Sequence, residues 1–259
     1  MNSSYERLVE IVKKLRSPEG CPWDREQNLY SIKEHFLEEA YELLEALDNE
    51  DIEHVREELG DVAFHVVFHG VMAEEEGKFS LEEALDLVSE KLVRRHPHVF
   101  GDAAVNNSEE VVESWEKIKA EEKKNSRKSV LDGVPATLPT LPTARKLQEK
   151  ARKVGFDWDS KAQCMDKVNE EFGEFTEAVL NGSREEIEHE LGDILFALVN
   201  ISRFLDVDSD EALRKCNSRF VSRFDYIGKR LKEKGMAYEE ASLEEMEELW
   251  QEAKKTEAG

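Results

Sequence analysis

Five acidic side chains occur with the same spacing in two parts of the chain. The first set is Glu38, Glu39, Glu42, Glu58 and Asp61. The second set is Glu170, Glu171, Glu174, Glu190 and Asp193. On two neighbouring helices, acids at i, i+1, i+4 and at i, i+3 can converge on one small volume. Carboxylates at that density repel one another unless they are paired, and Mg²⁺ is a hard cation that takes oxygen ligands. The pattern therefore indicates a divalent metal site in each part of the chain.

A solvated acidic helix face is the alternative interpretation of either set taken alone. The chain has 59 acids among 259 residues, so a single match to such a motif carries a real risk of being accidental. All five acids, however, recur at one offset of 132 residues, as from Asp61 to Asp193, and the Leu-Gly pair before each aspartate recurs with them. The repeat indicates two homologous domains and favours the metal-site interpretation.

The two aspartates each lie in an apolar stretch, with VAFHVVF after Asp61 and ILFALVNI after Asp193. We expect these stretches to be buried in helical bundles, where an ionised carboxylate is costly unless it is paired or metal-bound. A salt bridge to a neighbouring arginine is the other interpretation. His65 and His69 have no histidine counterparts in the second stretch, so we expect them to be packing residues.

Basic pairs recur with the repeat as well. Lys91 with Arg95, and Arg219 with Arg223, are each spaced four residues apart. Such pairs suit phosphate oxygens, or ion pairs with the carboxylates themselves. The chain has no P-loop and no GxGxxG, GxSxG or CxxC motif. Any phosphate chemistry is therefore expected to run through metal and basic side chains.

The elements that must position these residues are predicted to be helices throughout. Only 6 Pro and 13 Gly interrupt the chain, and it lacks the alternating runs typical of a β-sandwich or barrel. Ser-x-x-Glu sequences at Ser31 and Ser80 predict capping boxes at two helix starts. The Pro-containing stretch between the repeats predicts a linker. We expect four-helix-type domains at 1–125 and 144–259, joined by a linker at 126–143.

Charge and composition restrict the partners. The net charge is −23, with 37% charged and 39% hydrophobic residues, which argues against disorder and against binding to nucleic acid or an anionic membrane. Three cysteines without a CxxC pair fit a reducing compartment, and no secretory leader or membrane span is expected. We therefore predict a cytoplasmic protein that binds neither nucleic acid nor membrane.

With these motifs the chain resembles the tandem-domain MazG nucleoside triphosphate pyrophosphohydrolases, within the all-α NTP pyrophosphatase group. The resemblance covers nearly the whole chain. It rests on EEAYE with ELGD, EEFGE with ELGD, and the segments SPEGCPWDREQ, KLVRRHPHVFGD, ARKLQEKARKVGFDWD and MEELWQEAKK. It implies hydrolysis of nucleoside triphosphates between the α- and β-phosphates to give monophosphate and pyrophosphate. It further implies broad base specificity, a role in nucleotide-pool housekeeping, and a requirement for Mg²⁺, which Mn²⁺ can replace.

The resemblance also implies roles for individual residues. In the second domain the Mg²⁺ ligands would be Glu171, Glu174, Glu190 and Asp193. In the first domain they would be Glu39, Glu42, Glu58 and Asp61. Glu170 and Glu38 would orient or deprotonate the attacking water. Substrate would be bound by Lys167, Glu186, His189, Arg219, Arg223 and Trp250, and in the first domain by Lys91, Arg95 and Trp115.

Two features of the sequence complicate the assignment of these roles. Relatives can carry a lysine and a glutamate where this chain has Glu186 and His189, which is expected to change nucleotide preference or affinity but not the core chemistry. The family leads us to expect activity in the second domain, although the signature of the first domain is complete.

The sequence therefore predicts a Mg²⁺-dependent nucleoside triphosphate pyrophosphohydrolase with two all-α domains. Its apolar helices must bury their faces, which predicts a homodimer packed through them. Two other interpretations stay open. One is a non-catalytic acidic helical scaffold that binds protein partners, and the other is a metal-binding bundle without hydrolytic activity.

Overall fold

The computed structural model describes residues 3–123 and 129–257, apart from three side chains near the ends of these ranges. Every regular element in these ranges is helical, which confirms the predicted all-α class. The chain divides into two compact units, Met1–Ser126 and Arg127–Gly259, which we call the N-terminal and the C-terminal unit. Residues 124–125 of the predicted first domain, residues 126–128 of the predicted linker and residues 258–259 lie outside the described residues. Among the described helices, none has the length and apolar character that a membrane span requires.

The N-terminal unit contains four long helices and three shorter ones within its described residues. In chain order they are α1 (Ser4–Leu15), α2 (Pro22–Glu26), α3 (Lys33–Asp48), α4 (Ile52–Glu75), α5 (Leu81–Arg95), α6 (Pro97–Phe100) and α7 (Ser108–Lys123). Helix α3 packs along α4, and α4 also contacts α1 and α5. The two helices that carry the first acidic set are therefore neighbours.

Helix α3 begins without the capping box predicted at Ser31. The helix starts at Lys33, and Ile32 at the N-cap position makes no side-chain cap. The Ser31 hydroxyl instead donates to Gln27 Oε1 at 2.8 Å and accepts from the Asn28 N–H at 2.9 Å. Ile32 is only 1% exposed. Burial of this side chain therefore determines the helix start, and Ser31 stabilises the preceding turn.

The next two helices have side-chain caps. At the start of α4, the Asp51 carboxylate accepts from the His54 N–H at 3.2 Å. At the start of α5, Ser80 and Glu83 form the predicted capping box, with bonds of 3.1 and 2.6 Å. Each cap satisfies backbone donors that have no partner within the first helical turn.

The N-terminal core is built around the second half of α4. Its buried members are Val12, Ile32, Val67, Phe68, Val71 and Met72. Gly70 allows α5 to approach α4, because a Cβ at this position would lie only 2.7 Å from Leu81 Cβ. His65, predicted to be a packing residue, is 6% exposed, and its ring lies edge-on to Phe64 with a centroid distance of 5.3 Å.

The C-terminal unit repeats the pair of long helices. Its elements are α8 (Thr140–Arg152), α9 (Lys161–Asn181), α10 (Arg184–Phe204), α11 (Ser209–Glu233), a 3₁₀ turn (Tyr238–Glu240) and α12 (Leu243–Glu257). Helix α8 begins inside the segment predicted to be a linker. Helices α9 and α10 pack along each other, as α3 and α4 do. A separate cluster of Ile227, Leu231 and Leu249 joins α11 to α12.

The apolar stretches after the two aspartates are not buried on all sides, contrary to the prediction. Asp61 is exposed, and the Asp193 side chain is 45% exposed. On α10, Leu191, Leu195 and Leu198 are 45–47% exposed. Within the described part of this unit α10 packs chiefly against α9 and α8, so its third side faces solvent. Burial of the two aspartates, which the sequence predicted, is therefore not observed, and burial alone does not make these carboxylates costly.

Candidate active site

The C-terminal unit brings three of the predicted ligands together. Glu171 and Glu174 lie one turn apart on α9, and Glu190 faces them from α10. One carboxylate oxygen from each lies within 4.8 Å of the others. Glu171 is only 7% exposed, whereas Glu174 lies at the surface. The cluster is therefore open on one side, as a site that admits a substrate must be.

A second group of side chains that could hold a metal ion overlaps the first at Glu190. His189 Nδ1 lies 3.4 Å from Glu190 Oε1 and 3.2 Å from Asp193 Oδ2, and these three side chains also meet the 4.8 Å limit. Glu190 Oε2 is buried and has no hydrogen-bond partner in the structure. A buried carboxylate oxygen without a partner is costly, so this atom marks a position where a cation would be stabilised.

Electrostatic repulsion is concentrated at Glu174. Desolvation raises the pKa of its carboxyl group, and the charges of Glu171 and Glu190 raise it further. A cation bound between the three carboxylates would remove that repulsion.

Lys167 supplies positive charge to the same cluster from one turn earlier on α9. Its Nζ lies 2.8 Å from Glu170 Oε1 and 2.7 Å from Glu171 Oε1. These two hydrogen bonds raise the pKa of the lysine above its ordinary value. Lys167 therefore stays protonated and holds Glu170, the predicted base, beside Glu171, a predicted metal ligand.

The N-terminal unit has a related cluster of Glu39, Glu58 and Asp61, whose oxygens lie within 4.8 Å of one another. Burial raises the pKa of Glu39, and the charges of Glu42, Asp61 and Glu58 add to the effect. Glu42 is thus close enough to interact. His65 Nε2 lies 4.0 Å from Glu39 Oε1, a contact that the C-terminal unit lacks because alanine occupies the matching position, 197.

Sequence analysis did not identify His35, which occupies the position that Lys167 has in the second repeat. Its Nδ1 lies 3.0 Å from Glu38 Oε2. The i, i+3 contact to Glu38, the predicted catalytic base, is therefore retained, but with an imidazole in place of an ammonium group. The 132-residue offset was the signal that could have identified it.

Two of the predicted substrate-binding cations, Arg95 and Arg223, stack on tryptophans. The Arg95 guanidinium carbon lies 5.3 Å from the Trp115 ring centre, and that of Arg223 lies 5.4 Å from the Trp250 ring centre. Arg95 is buried, and its Nη2 forms an ion pair with Glu122 of α7 at 2.5 Å. The hydrogen bonds from Arg95 and then Arg94 lower the pKa of Glu122 to about 2.

The other predicted binding residues lie apart from these contacts. Lys91 is half-buried on α5, and Arg219 is exposed on α11. Glu186 acts in the capping box of α10, where its Oε2 accepts from the Ser183 N–H at 2.6 Å. That hydrogen bond lowers the pKa of Glu186, so this carboxylate already has a structural role.

Comparison with known proteins agrees with this arrangement. The MazG nucleotide pyrophosphohydrolase domain matches residues 27–100 and 159–227. The chain is 44% identical to the nucleoside triphosphate pyrophosphohydrolase/pyrophosphatase MazG of Thermotoga maritima over 250 residues, 96% of this chain and 95% of that protein. It is 43% identical to the nucleoside triphosphate pyrophosphohydrolase of Escherichia coli K12 over 98% of each chain.

A third relative is a longer protein. The uncharacterized protein YabN of Bacillus subtilis is 49% identical over 254 residues, which are 98% of this chain and 52% of that protein. The two segments that match the domain contain the two carboxylate clusters, one in each unit. The chain therefore belongs to the family of MazG nucleotide pyrophosphohydrolases.

Proposed function

We propose that this nucleoside triphosphate pyrophosphohydrolase uses Mg²⁺ at its carboxylate clusters and cleaves between the α- and β-phosphates, releasing monophosphate and pyrophosphate. The observation that carries the proposal is the pair of ligand groups that share Glu190 on α10. We expect the C-terminal cluster to be the main active site and the base specificity to be broad. A role in nucleotide-pool housekeeping and a cytoplasmic location stay predictions.

The donor set fits Mg²⁺. Glu171, Glu174, Glu190 and Asp193 offer hard carboxylate oxygens, which Mg²⁺ prefers, and Glu190 Oε2 is buried without a partner. Desolvation raises the pKa of Glu174, and so does repulsion from Glu171 and Glu190, which a cation would relieve. His189 adds a nitrogen donor, which Mn²⁺ accepts more readily than Mg²⁺ does. Glu39, Glu42, Glu58 and Asp61 would hold the ion in the N-terminal unit.

Bound Mg²⁺ would neutralise phosphate charge and make the phosphorus more open to attack by water. Glu170 then accepts the proton of the attacking water, because Lys167 holds its Oε1 and the carboxylate can offer Oε2. In the N-terminal unit Glu38 has the corresponding role. Lys167, Arg219 and Arg223 stabilise the charge of the phosphates, and Trp250 orients Arg223 by stacking.

Product analysis tests the reaction. Purified protein is incubated with ATP or dGTP and Mg²⁺, and the products are separated by ion-exchange chromatography. Monophosphate with pyrophosphate is the expected result. Diphosphate with phosphate would contradict the bond assignment, and an absence of products would favour the scaffold or the purely metal-binding alternative.

Two substitutions assign the site. Glu174→Gln is expected to lower kcat/KM by about 100-fold or more, since charge stabilisation at the reacting group is lost. Glu177→Gln, an exposed change one turn further along α9, is the matched control. Glu42→Gln makes the same change in the N-terminal unit. If neither Glu174→Gln nor Glu42→Gln changes the rate, the site assignment is wrong.

The exposed face of α10 supports a homodimer. Leu191, Leu195 and Leu198 form an apolar surface, each 45–47% exposed, and a second copy of the chain would cover it. Light scattering at micromolar concentration is expected to give twice the mass of the chain. A monomeric mass would contradict this part of the proposal.

A further inference from the structure

A cavity of about 480 Å³ lies beside the C-terminal carboxylate cluster. It extends along α10 from Asp193 to Arg203, ten residues and about 15 Å along the helix axis. Lys167 and Glu171 line it near the cluster, and Trp158 contributes an aromatic wall. Small-molecule sites typically measure about 300–1,000 Å³. The cavity is thus large enough for a small ligand whose charged end reaches the cluster.

Gln148 lines this cavity and has a buried side-chain acceptor without a partner. Gln148 of α8 is 6% exposed. Its Nε2 donates to the Phe196 carbonyl oxygen at 2.8 Å, which fixes the orientation of the amide. Its Oε1 is buried and has no partner in the structure. Because a buried acceptor left unpaired costs free energy, this oxygen points to a ligand that carries an N–H group.

A second amide on the cavity wall presents the opposite polarity. Arg203 donates to Asn200 Oδ1 from Nε at 3.2 Å and from Nη2 at 2.8 Å. Because the Asn200 oxygen is engaged in this way, Asn200 can offer its amide nitrogen to a ligand. Arg203 is itself fixed by Asp157, with Nη1 to Oδ2 at 3.1 Å. The cavity therefore combines an acceptor, a donor and apolar walls.

The N-terminal unit carries larger side chains at the matching positions. At the 132-residue offset, Ala197 corresponds to His65 and Asn200 to Phe68. His65 is 6% exposed and Phe68 is 1% exposed, so both belong to packed interior. The two repeats thus share the carboxylates but differ at these two positions of the cavity lining.

We propose that this cavity binds the nucleobase and sugar of the substrate, with Gln148 Oε1 accepting a hydrogen bond from a base N–H group. The inference rests on the proposed function, since it assumes that the phosphates occupy the adjoining cluster. Every common base carries an amino or imino N–H on its pairing edge, so one fixed acceptor holds all of them without selecting strongly. Trp158 and the apolar wall bury the base faces.

Kinetics with and without a base test the proposal. ATP is compared with ribose 5-triphosphate, which has the same phosphates and sugar. Gln148→Leu is expected to raise KM for ATP about tenfold, as loss of one buried hydrogen bond predicts, and to change KM for ribose triphosphate less than about twofold. The double change Ala197→His with Asn200→Phe introduces the residues of the N-terminal unit. It is also expected to raise KM for ATP and to leave KM for ribose triphosphate nearly unchanged. Gln251→Leu on the exposed face of α12 is the control.

Equal losses for both substrates in these variants would overturn the proposal, because the residues would then be structural. Unchanged kinetics with ATP would overturn it as well. If the wild-type protein hydrolyses neither substrate, the proposed function is wrong. Photolabelling then still shows where the base binds. With 8-azido-ATP and Ca²⁺, label within residues 147–158 or 196–203 supports the proposal. Label on the peptide that contains Trp250, or no label, overturns it.

Discussion

Replacing Lys167 with methionine is expected to tighten Mg²⁺ binding while weakening substrate binding. In the C-terminal cluster, the Lys167 Nζ lies 2.8 Å from Glu170 Oε1 and 2.7 Å from Glu171 Oε1. Its raised pKa, caused by these two hydrogen bonds, keeps it charged. A cation that enters the cluster is repelled by this ammonium group, whereas a triphosphate is attracted by it. The two ligands should therefore respond in opposite directions.

The magnitude follows from Coulomb's law. Two unit charges at about 4 Å repel by about 1 kcal/mol in water, so a divalent ion gains about 2 kcal/mol when the ammonium is removed. Water-like screening is appropriate because the Lys167 side chain is 33% exposed. Since about 1.4 kcal/mol is tenfold, we expect Kd for Mg²⁺ to fall about tenfold to thirtyfold. KM for the triphosphate should rise about tenfold, because one charged phosphate contact is lost.

Titration calorimetry with MgCl₂ in the absence of nucleotide measures the first effect, and steady-state kinetics measure the second. Lys161→Met removes the same charge from the same helix, six residues and about 9 Å away, and is expected to change Mg²⁺ affinity much less because salt screens charges at that distance. Weaker or unchanged Mg²⁺ binding in Lys167→Met would refute the reasoning.

Three further outcomes are expected. Without Mg²⁺, the Tm of the wild type relative to that of Glu174→Gln should rise as the pH falls toward 4.5, since desolvation and the charges of Glu171 and Glu190 raise the pKa of Glu174 in the folded state and protonation removes this repulsion. With Mg²⁺ the trend should reverse, and scanning fluorimetry checks both. Gly70→Ala should lower the free energy of unfolding by about 1–3 kcal/mol, because the new Cβ would clash with Leu81. Gly60→Ala has open space around its Cβ and should raise the free energy of unfolding by up to about 1 kcal/mol. Urea unfolding measures both. Leu195→Glu should yield monomers in light scattering, and a persistent dimer would exclude this face as the interface.

The repeat was the feature of the sequence that predicted most. Because helix geometry converts spacing into position, the offset between Glu58 and Glu190 was enough to predict two equivalent clusters on paired helices. The structure brings Glu39, Glu58 and Asp61 together in one unit. The same offset relates His35 to Lys167 and so also predicts a basic residue beside Glu38.

Features that depend on packing were not predictable in the same way. Ser31 fits a capping box, yet burial of Ile32 determines where α3 begins. Asp193 lies among apolar residues in sequence, but its neighbours Leu191 and Leu195 face solvent on a single chain. Periodicity shows which residues are apolar, not which of them find a partner within the same unit. The cavity at Gln148 depends on side chains from three helices and so has no local pattern.

The shared position of Glu190 has a consequence for how ions bind. One carboxylate takes part in both ligand groups, so the first cation to arrive orients a donor that the second must also use. Occupancy of the two positions should therefore be linked, and a metal titration of the C-terminal unit should deviate from the curve of two independent, identical sites.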